Sequence, residues 1–441
     1  MSGTATVPGR RRRPRWRASA PLHPGDAVPD DHPPLAGRPD QPYDLAVVGA
    51  GPLGSATARH AAESGVRVLV VGPDEPGDPA THEGTWAGYY DQGRLCHVLE
   101  VPLVTSMLAM RSRRRFADLA ARTGIDFLTP THSVTVLPGG DGAGPSLWFD
   151  RELLARNAVD LGVEVDHLDE EQLAAAYPSL TFEPGHGALR ERDAAILNPR
   201  ALVRAELAAA VAAGAELVRD EVVGTERVGD AVRLSTRGGR TALADRVVLA
   251  TGAATNATGL LDRPLVTPTY GATVVLTEVA GPDAVDMPTM MMMKVRDGER
   301  LYGGIVMAPV QYPDGRWYLK TSGDSLLRHP LHNREEIAAW TRTGGDQADL
   351  AETRALLDEL LPELEVLSMR TRPCLVCATP SDRPYIDWAD DRTVVVVEGE
   401  RGAMAADEIG RLAAGLALTG RWSDPLPHEV FAAAWAEPVP A

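Results

Sequence analysis

Cysteine is nearly absent from this chain, with three in 441 residues. That excludes a disulfide framework and points to a reducing, cytoplasmic setting. Long apolar runs are missing too, and nothing approaches the roughly 20 residues a membrane helix needs. Positive charge is in deficit. Lysine is scarce and the net charge is −17, which argues against nucleic acid or an anionic membrane as a partner. The arginines of "RRRRPRWR", residues 10 to 17, are followed by no apolar segment, so an export signal is rejected. No internal repeat is present.

What is there is an ordinary globular composition, 44% hydrophobic and 24% charged. The length is too great for one compact core. Residues 1–41, rich in Pro, Asp, Gly and Arg, are expected to be a disordered tail.

Order begins at "YDLAVVGAGPLGSATARHAAESGVRVLVVG", residues 43–72. A short β-branched run, a helical run ending near Gly65 and a second apolar run predict a β-α-β unit. Gly49-Ala50-Gly51-Pro52-Leu53-Gly54 sits at the strand-to-helix turn. Gly49 allows the tight turn. Gly51 lets the backbone approach a pyrophosphate at the positive helix N-terminus. Gly54 lets helix and strand pack closely. This placement is what makes G-x-G-x-x-G a dinucleotide signal. The acid that ordinarily closes the second strand is replaced by Gly72, and Asp74 or Glu75 is expected to meet the ribose instead. A later strand, "VVLATGAAT", with Thr251 and Gly252, closes a second segment of the nucleotide domain. That arrangement favours FAD over NAD.

Near the other end stands "RPCLVCATPSDRPYID", residues 372–387, with Cys374 and Cys377 as C-x-x-C. A redox pair should open a helix, yet Thr379, Pro380 and Pro384 follow. A zinc site needs further ligands, for which Cys96 and His97 are candidates. Two buried thiols are the plain alternative.

In these stretches the chain resembles the D-amino-acid oxidase and glycine oxidase superfamily, most of all the monomeric sarcosine oxidase and N-methyltryptophan oxidase group. The resemblance spans roughly residues 43–436. It implies a Rossmann-like FAD-binding domain interleaved with a substrate domain on an antiparallel sheet, an α/β or overall α+β fold. Residues 42–125, 188–262 and 366–441 would form the FAD-binding domain, and 126–187 and 263–365 the substrate domain. It further implies a backbone contact from Val222 to the adenine. Lys320, in "RWYLKTSGD", would stand beside the flavin and activate oxygen. Cys374 would carry the flavin through a thioether. Arg94 would lie near the ring. The loop "EGERGAMAADEIG" would place Gly399, Arg401, Gly402, Ala403 and Met404 at the flavin's pyrimidine end, with Glu400 lining the ring.

The chain departs from that group in two places. The arginine that grips the substrate carboxylate falls on His97, and the late lysine falls on Ala406. Sarcosine itself is therefore not the expected substrate. Trp86, Tyr89 and Tyr90 are candidate pocket walls, or core. The run "MPTMMMMKVRD" reads as a strand that could line a cavity. His82 and His132 read as structural, and Arg113 to Arg115, in a long helix, as a solvated face.

The expected activity is that of an FAD-dependent oxidase. It takes an amine or amino-acid-like small molecule and molecular oxygen, gives an imine and hydrogen peroxide, and works as a monomer or homodimer. Alternatives are a dehydrogenase of the same fold and a flavin-binding protein without turnover.

Overall fold

The computed structural model describes residues 42–77, 79–139 and 148–437. The N-terminal tail lies outside the described residues. The strand Leu45–Val48 is buried along its whole length. It pairs in parallel with Val68–Val71 on one side and Val247–Leu249 on the other. Glu216–Val218 extends the sheet at one edge. Thr393–Val397 extends it at the other, with Tyr385–Trp388 added antiparallel. These runs are short and β-branched because both faces are covered, and nothing selects alternation. The helices Pro52–Glu63, Pro199–Ala212 and Gly402–Thr419 share one apolar core with this sheet.

A second sheet has ten mixed strands. Its centre is Thr269–Val279, Trp317–Ser322, Glu299–Gln311 and Thr289–Arg296, antiparallel neighbours in that order. The methionine run is thus a strand. Lys320 is not on an edge, because it pairs with Leu276 on one side and Met307 on the other. Three segments expected in the dinucleotide part pair here instead. Arg94–Cys96 joins His186–Leu197, and Ser368–Cys377 lies along Thr269–Val279. These crossings bring residues from distant parts of the chain to the seam between the sheets.

The triple arginine does not form a solvated face. On the helix Leu103–Thr123, Arg113 pairs with Glu191. Arg115 pairs with Asp407 and Glu408, both buried on the helix Gly402–Thr419. Of the three, Arg114 is the exposed one. Burial of the two acids requires paired cations, and the arginines supply them.

Candidate functional site

Every parallel strand but the edge one ends at the same place. Gly49, Gly72, Ala250 and Glu398 each follow the carboxyl end of a strand, and all line a cavity of about 310 Å³. Ligands bind in that position in open α/β sheets. The far wall comes from the second sheet, through Met291, Ile305, Lys320 and Cys374.

At the near end the glycines have separable reasons. Gly49 has φ of +106°, and a Cβ there would lie 2.3 Å from the Ala250 carbonyl oxygen. A Cβ on Gly54 would lie 1.8 Å from the Gly49 oxygen. Gly51 is different, since its nearest neighbour would be Tyr89 at 3.6 Å. No protein atom demands glycine at 51, so the bare backbone suits a group approaching from the cavity. Gly51 is also the N-cap of Pro52–Glu63, with no side-chain cap and no acid in the first turn. Its free N–H groups and the helix dipole make an anion site that suits a pyrophosphate. Pro52, Leu53, Val222, Thr251 and Gly252 line this end as well.

The ribose position is now explicable. A Cβ on Gly72 would stand 2.5 Å from the Ala50 nitrogen, so no acid fits there. Asp74 is not among the cavity-lining residues; it pairs with Arg219 at 2.9 Å, and Glu75 pairs with Arg200. The carboxylates that line this end are Asp220 and Glu221.

In the middle stands a cluster the sequence reading did not assemble. Lys320 Nζ donates to Asp91 Oδ2 at 2.5 Å and to the Gly93 carbonyl at 2.8 Å. Arg94 donates to the same Asp91 oxygen at 2.6 Å, and Tyr312 donates to Oδ1 at 2.9 Å. Burial, with the Arg94 charge beside it, lowers Lys320 to about 8, against the pull of Asp91. Despite its own burial, Asp91 is held well below the usual carboxylate range by Lys320 and Arg94. Two cations face one carboxylate, which leaves a net positive field.

Cys374 adjoins this cluster. Arg94 Nη2 and the Gly88 oxygen each lie 3.9 Å from its sulfur. Burial raises the thiol, and Arg94 pulls it back. The C-x-x-C lies on a strand, Ser368–Cys377, not at a helix start. Residues three apart on a strand face opposite ways. Cys374 thus lines the cavity, while Cys377 packs in the separate core with Tyr385 and Val397, its thiol pushed up to about 12 by burial. The two sulfurs cannot act as one redox or metal pair.

The far end is a chain of charges. His97 Nδ1 lies 3.0 Å from Ser133 Oγ, and Nε2 lies 2.8 Å from Glu100. Arg401 donates to Glu100 and to Asp382, both at 2.8 Å. Against the cost of burial, Arg401 and His97 hold Glu100 at about 2. Burial raises Glu398 and Glu400 to about 7, despite Arg401 nearby. Gly399, Gly402, Ala403 and Met404 also line the cavity, at the uncapped start of Gly402–Thr419. Ala406 does not; it is buried in the helical core. Position 406 thus offers the cavity no cation. The residues at the helix start that meet the cavity are Arg401 to Met404, and a cation is present, as Arg401.

Trp86, Tyr89 and Tyr90 line the cavity, and Trp86 and Tyr90 are also core. Met291 lines it; His82 and His132 do not.

Comparison with known proteins places this architecture. The family model described as DAO, FAD dependent oxidoreductase, matches residues 44–416. The monomeric sarcosine oxidase of Streptomyces avermitilis is 25% identical over 402 residues, covering 87% of this chain and 96% of the relative. That of Bacillus sp. is 24% identical over 399 residues, covering 86% and 93%. Among solved structures, NikD, an amino acid oxidase essential for nikkomycin biosynthesis, superposes with a TM-score of 0.70 at 20% identity, covering 90% of this chain and 98% of that one. Glycine oxidase from Geobacillus kaustophilus gives 0.65 at 21%, covering 88% and 98%.

Proposed function

The chain belongs to the DAO family of FAD-dependent oxidoreductases, and from that premise we propose that it is an oxidase of amine C–N bonds, using molecular oxygen and releasing hydrogen peroxide. FAD bound in the cavity would accept a hydride from the carbon beside the substrate nitrogen, leaving an imine. The chain's residues divide the remaining work. Gly51 and the helix start at Pro52 would hold the pyrophosphate. Val222, Thr251 and Gly252 border the adenosine half. Cys374 is the candidate for a thioether to the flavin, which its place in the cavity wall and the nearby Arg94 support. The uncapped start of Gly402–Thr419 suits a developing negative charge.

One observation carries the oxidase reading: Lys320 is buried at the cavity wall, with Arg94 sharing its counter-ion. A fixed cation of this kind stabilises the superoxide formed when oxygen takes its first electron. A dehydrogenase serving a carrier has no such need. Reducing the flavin anaerobically and then admitting oxygen tests the point. Rapid reoxidation with peroxide release is expected, and a reduced flavin that persists in air would contradict it.

A further inference from the structure

We propose, resting on the reading of this cavity as an amine-oxidising site, that its far end is a cation subsite in which Glu400 holds the substrate ammonium and removes its proton, so that the substrate is an amine without a carboxylate beside its nitrogen.

The first support is the disposition of positive charge. Among the described residues lining the cavity, each cation is already engaged. Arg94 and Lys320 share Asp91. Arg401 lies between Glu100 and Asp382. His97, where the resemblance places the carboxylate grip, has Ser133 on one ring nitrogen and Glu100 on the other. At the far end a substrate carboxylate would find no cation without a carboxylate partner and would lose the two-pronged geometry arginine gives it, the surplus positive charge lying at Arg94 and Lys320 in the middle of the cavity.

The second support is what remains. Two carboxyls in the cavity wall, Glu398 and Glu400, are held by no hydrogen-bonded cation. Glu398 Oε2 is buried with no hydrogen-bond partner. Glu400 stands 4.0 Å from Arg401 Nη1, which is already spent on Asp382 at 2.8 Å. The groups facing Glu400 are Arg401, Asp382, Glu100, Glu398 and the Trp148 side chain. One guanidinium faces four carboxyls, so an entering carboxylate is repelled and an ammonium attracted. The indole of Trp148, also in the wall, hydrogen-bonds to Glu400.

The third support is proton affinity. A carboxyl raised to about 7 by burial is part ionised at neutral pH and can accept a proton there. The step balances simply. The N–H bond of the ammonium breaks, the proton goes to a Glu400 oxygen, and the electron pair stays on nitrogen. The carboxylate becomes a neutral acid and the amine becomes the neutral form that hydride loss requires.

Matched pairs of N-methyl amines, alike except for the α-carboxylate, test this with the holoenzyme under anaerobic conditions, by the rate and concentration dependence of flavin bleaching. The carboxylate-free member is expected to bleach about tenfold more efficiently or better, and Glu400→Gln to lose about tenfold or more of that efficiency. Unchanged flavin binding and dithionite reduction would show the variant to be folded. A carboxylate-bearing member that bleaches as well or better overturns the inference and leaves the amine-oxidase reading standing. So does a Glu400→Gln enzyme with wild-type efficiency across neutral pH. If no amine of any pair bleaches the flavin, the amine reading itself falls, and this inference with it.

Discussion

The ammonium of Lys320 and the carboxylate of Asp91, 229 residues apart in sequence, meet at 2.5 Å in the cavity wall. The pair is buried, and it is not neutral overall, because Arg94 leans on the same oxygen. The lysine that would meet oxygen is thus fixed in position by an aspartate and kept cationic by it.

Replacing Lys320 with Met should slow flavin reoxidation by about 10²–10³-fold. Flavin reduction by amine should change little, since reduction does not use that charge. Stopped-flow traces of the two half-reactions separate these effects.

The pH dependence follows from the same pair. In the proposed role the charged form is the active one, and burial brings Lys320 down to about 8. Reoxidation should therefore be full below about 8 and fall as pH rises through it. Asp91 opposes that lowering, so Asp91→Asn should move the fall to lower pH while keeping the low-pH plateau. An unmoved profile would mean that another group sets it.

The cysteines should behave oppositely. After acid denaturation, colour is expected to stay with the wild-type chain and with Cys377→Ala, and to be released from Cys374→Ala. The strand geometry, with one thiol in the cavity wall and one in a separate core, sets that contrast.

Two glycines of one motif should fail differently. Gly54→Ala forces a Cβ to 1.8 Å from the Gly49 oxygen, so stability should drop by about 1–3 kcal/mol. Gly51→Ala meets only Tyr89 at 3.6 Å, so stability should change by less than about 1 kcal/mol. FAD affinity should nevertheless fall in Gly51→Ala. Thermal melts with and without added FAD distinguish the two.

The arginine helix gives a test away from the site. Arg115→Ala leaves Glu408 and Asp407 short of a partner and should cost about 1–3 kcal/mol. Arg114→Ala should stay within about 0.5 kcal/mol. Urea melts report both.

What was legible in the sequence was local. The glycine turn, the "VVLATG" strand and the strand around Lys320 each take the expected local structure within a dozen residues. What was not legible depends on contacts between distant segments. Asp91 lies three residues before Arg94, and nothing in that spacing announces Lys320 as its partner. Arg401 meets Glu100 across 301 positions. The arginines 113 and 115 looked solvated because their acids lie far along the chain, Glu191 for Arg113 and Asp407 and Glu408 for Arg115. That Arg401, rather than the residue at 406, brings a cation to the cavity depends on how the helix start is turned. Gly72 looked like a lost acid, and the cause is the close approach of Ala50.

The most direct test of the central claim is the stoichiometry of aerobic turnover with an amine that bleaches the flavin. One hydrogen peroxide formed for each oxygen consumed and each amine oxidised is the result this account predicts. Amine-driven reduction of a quinone or carrier, with no oxygen uptake and no peroxide, would contradict it.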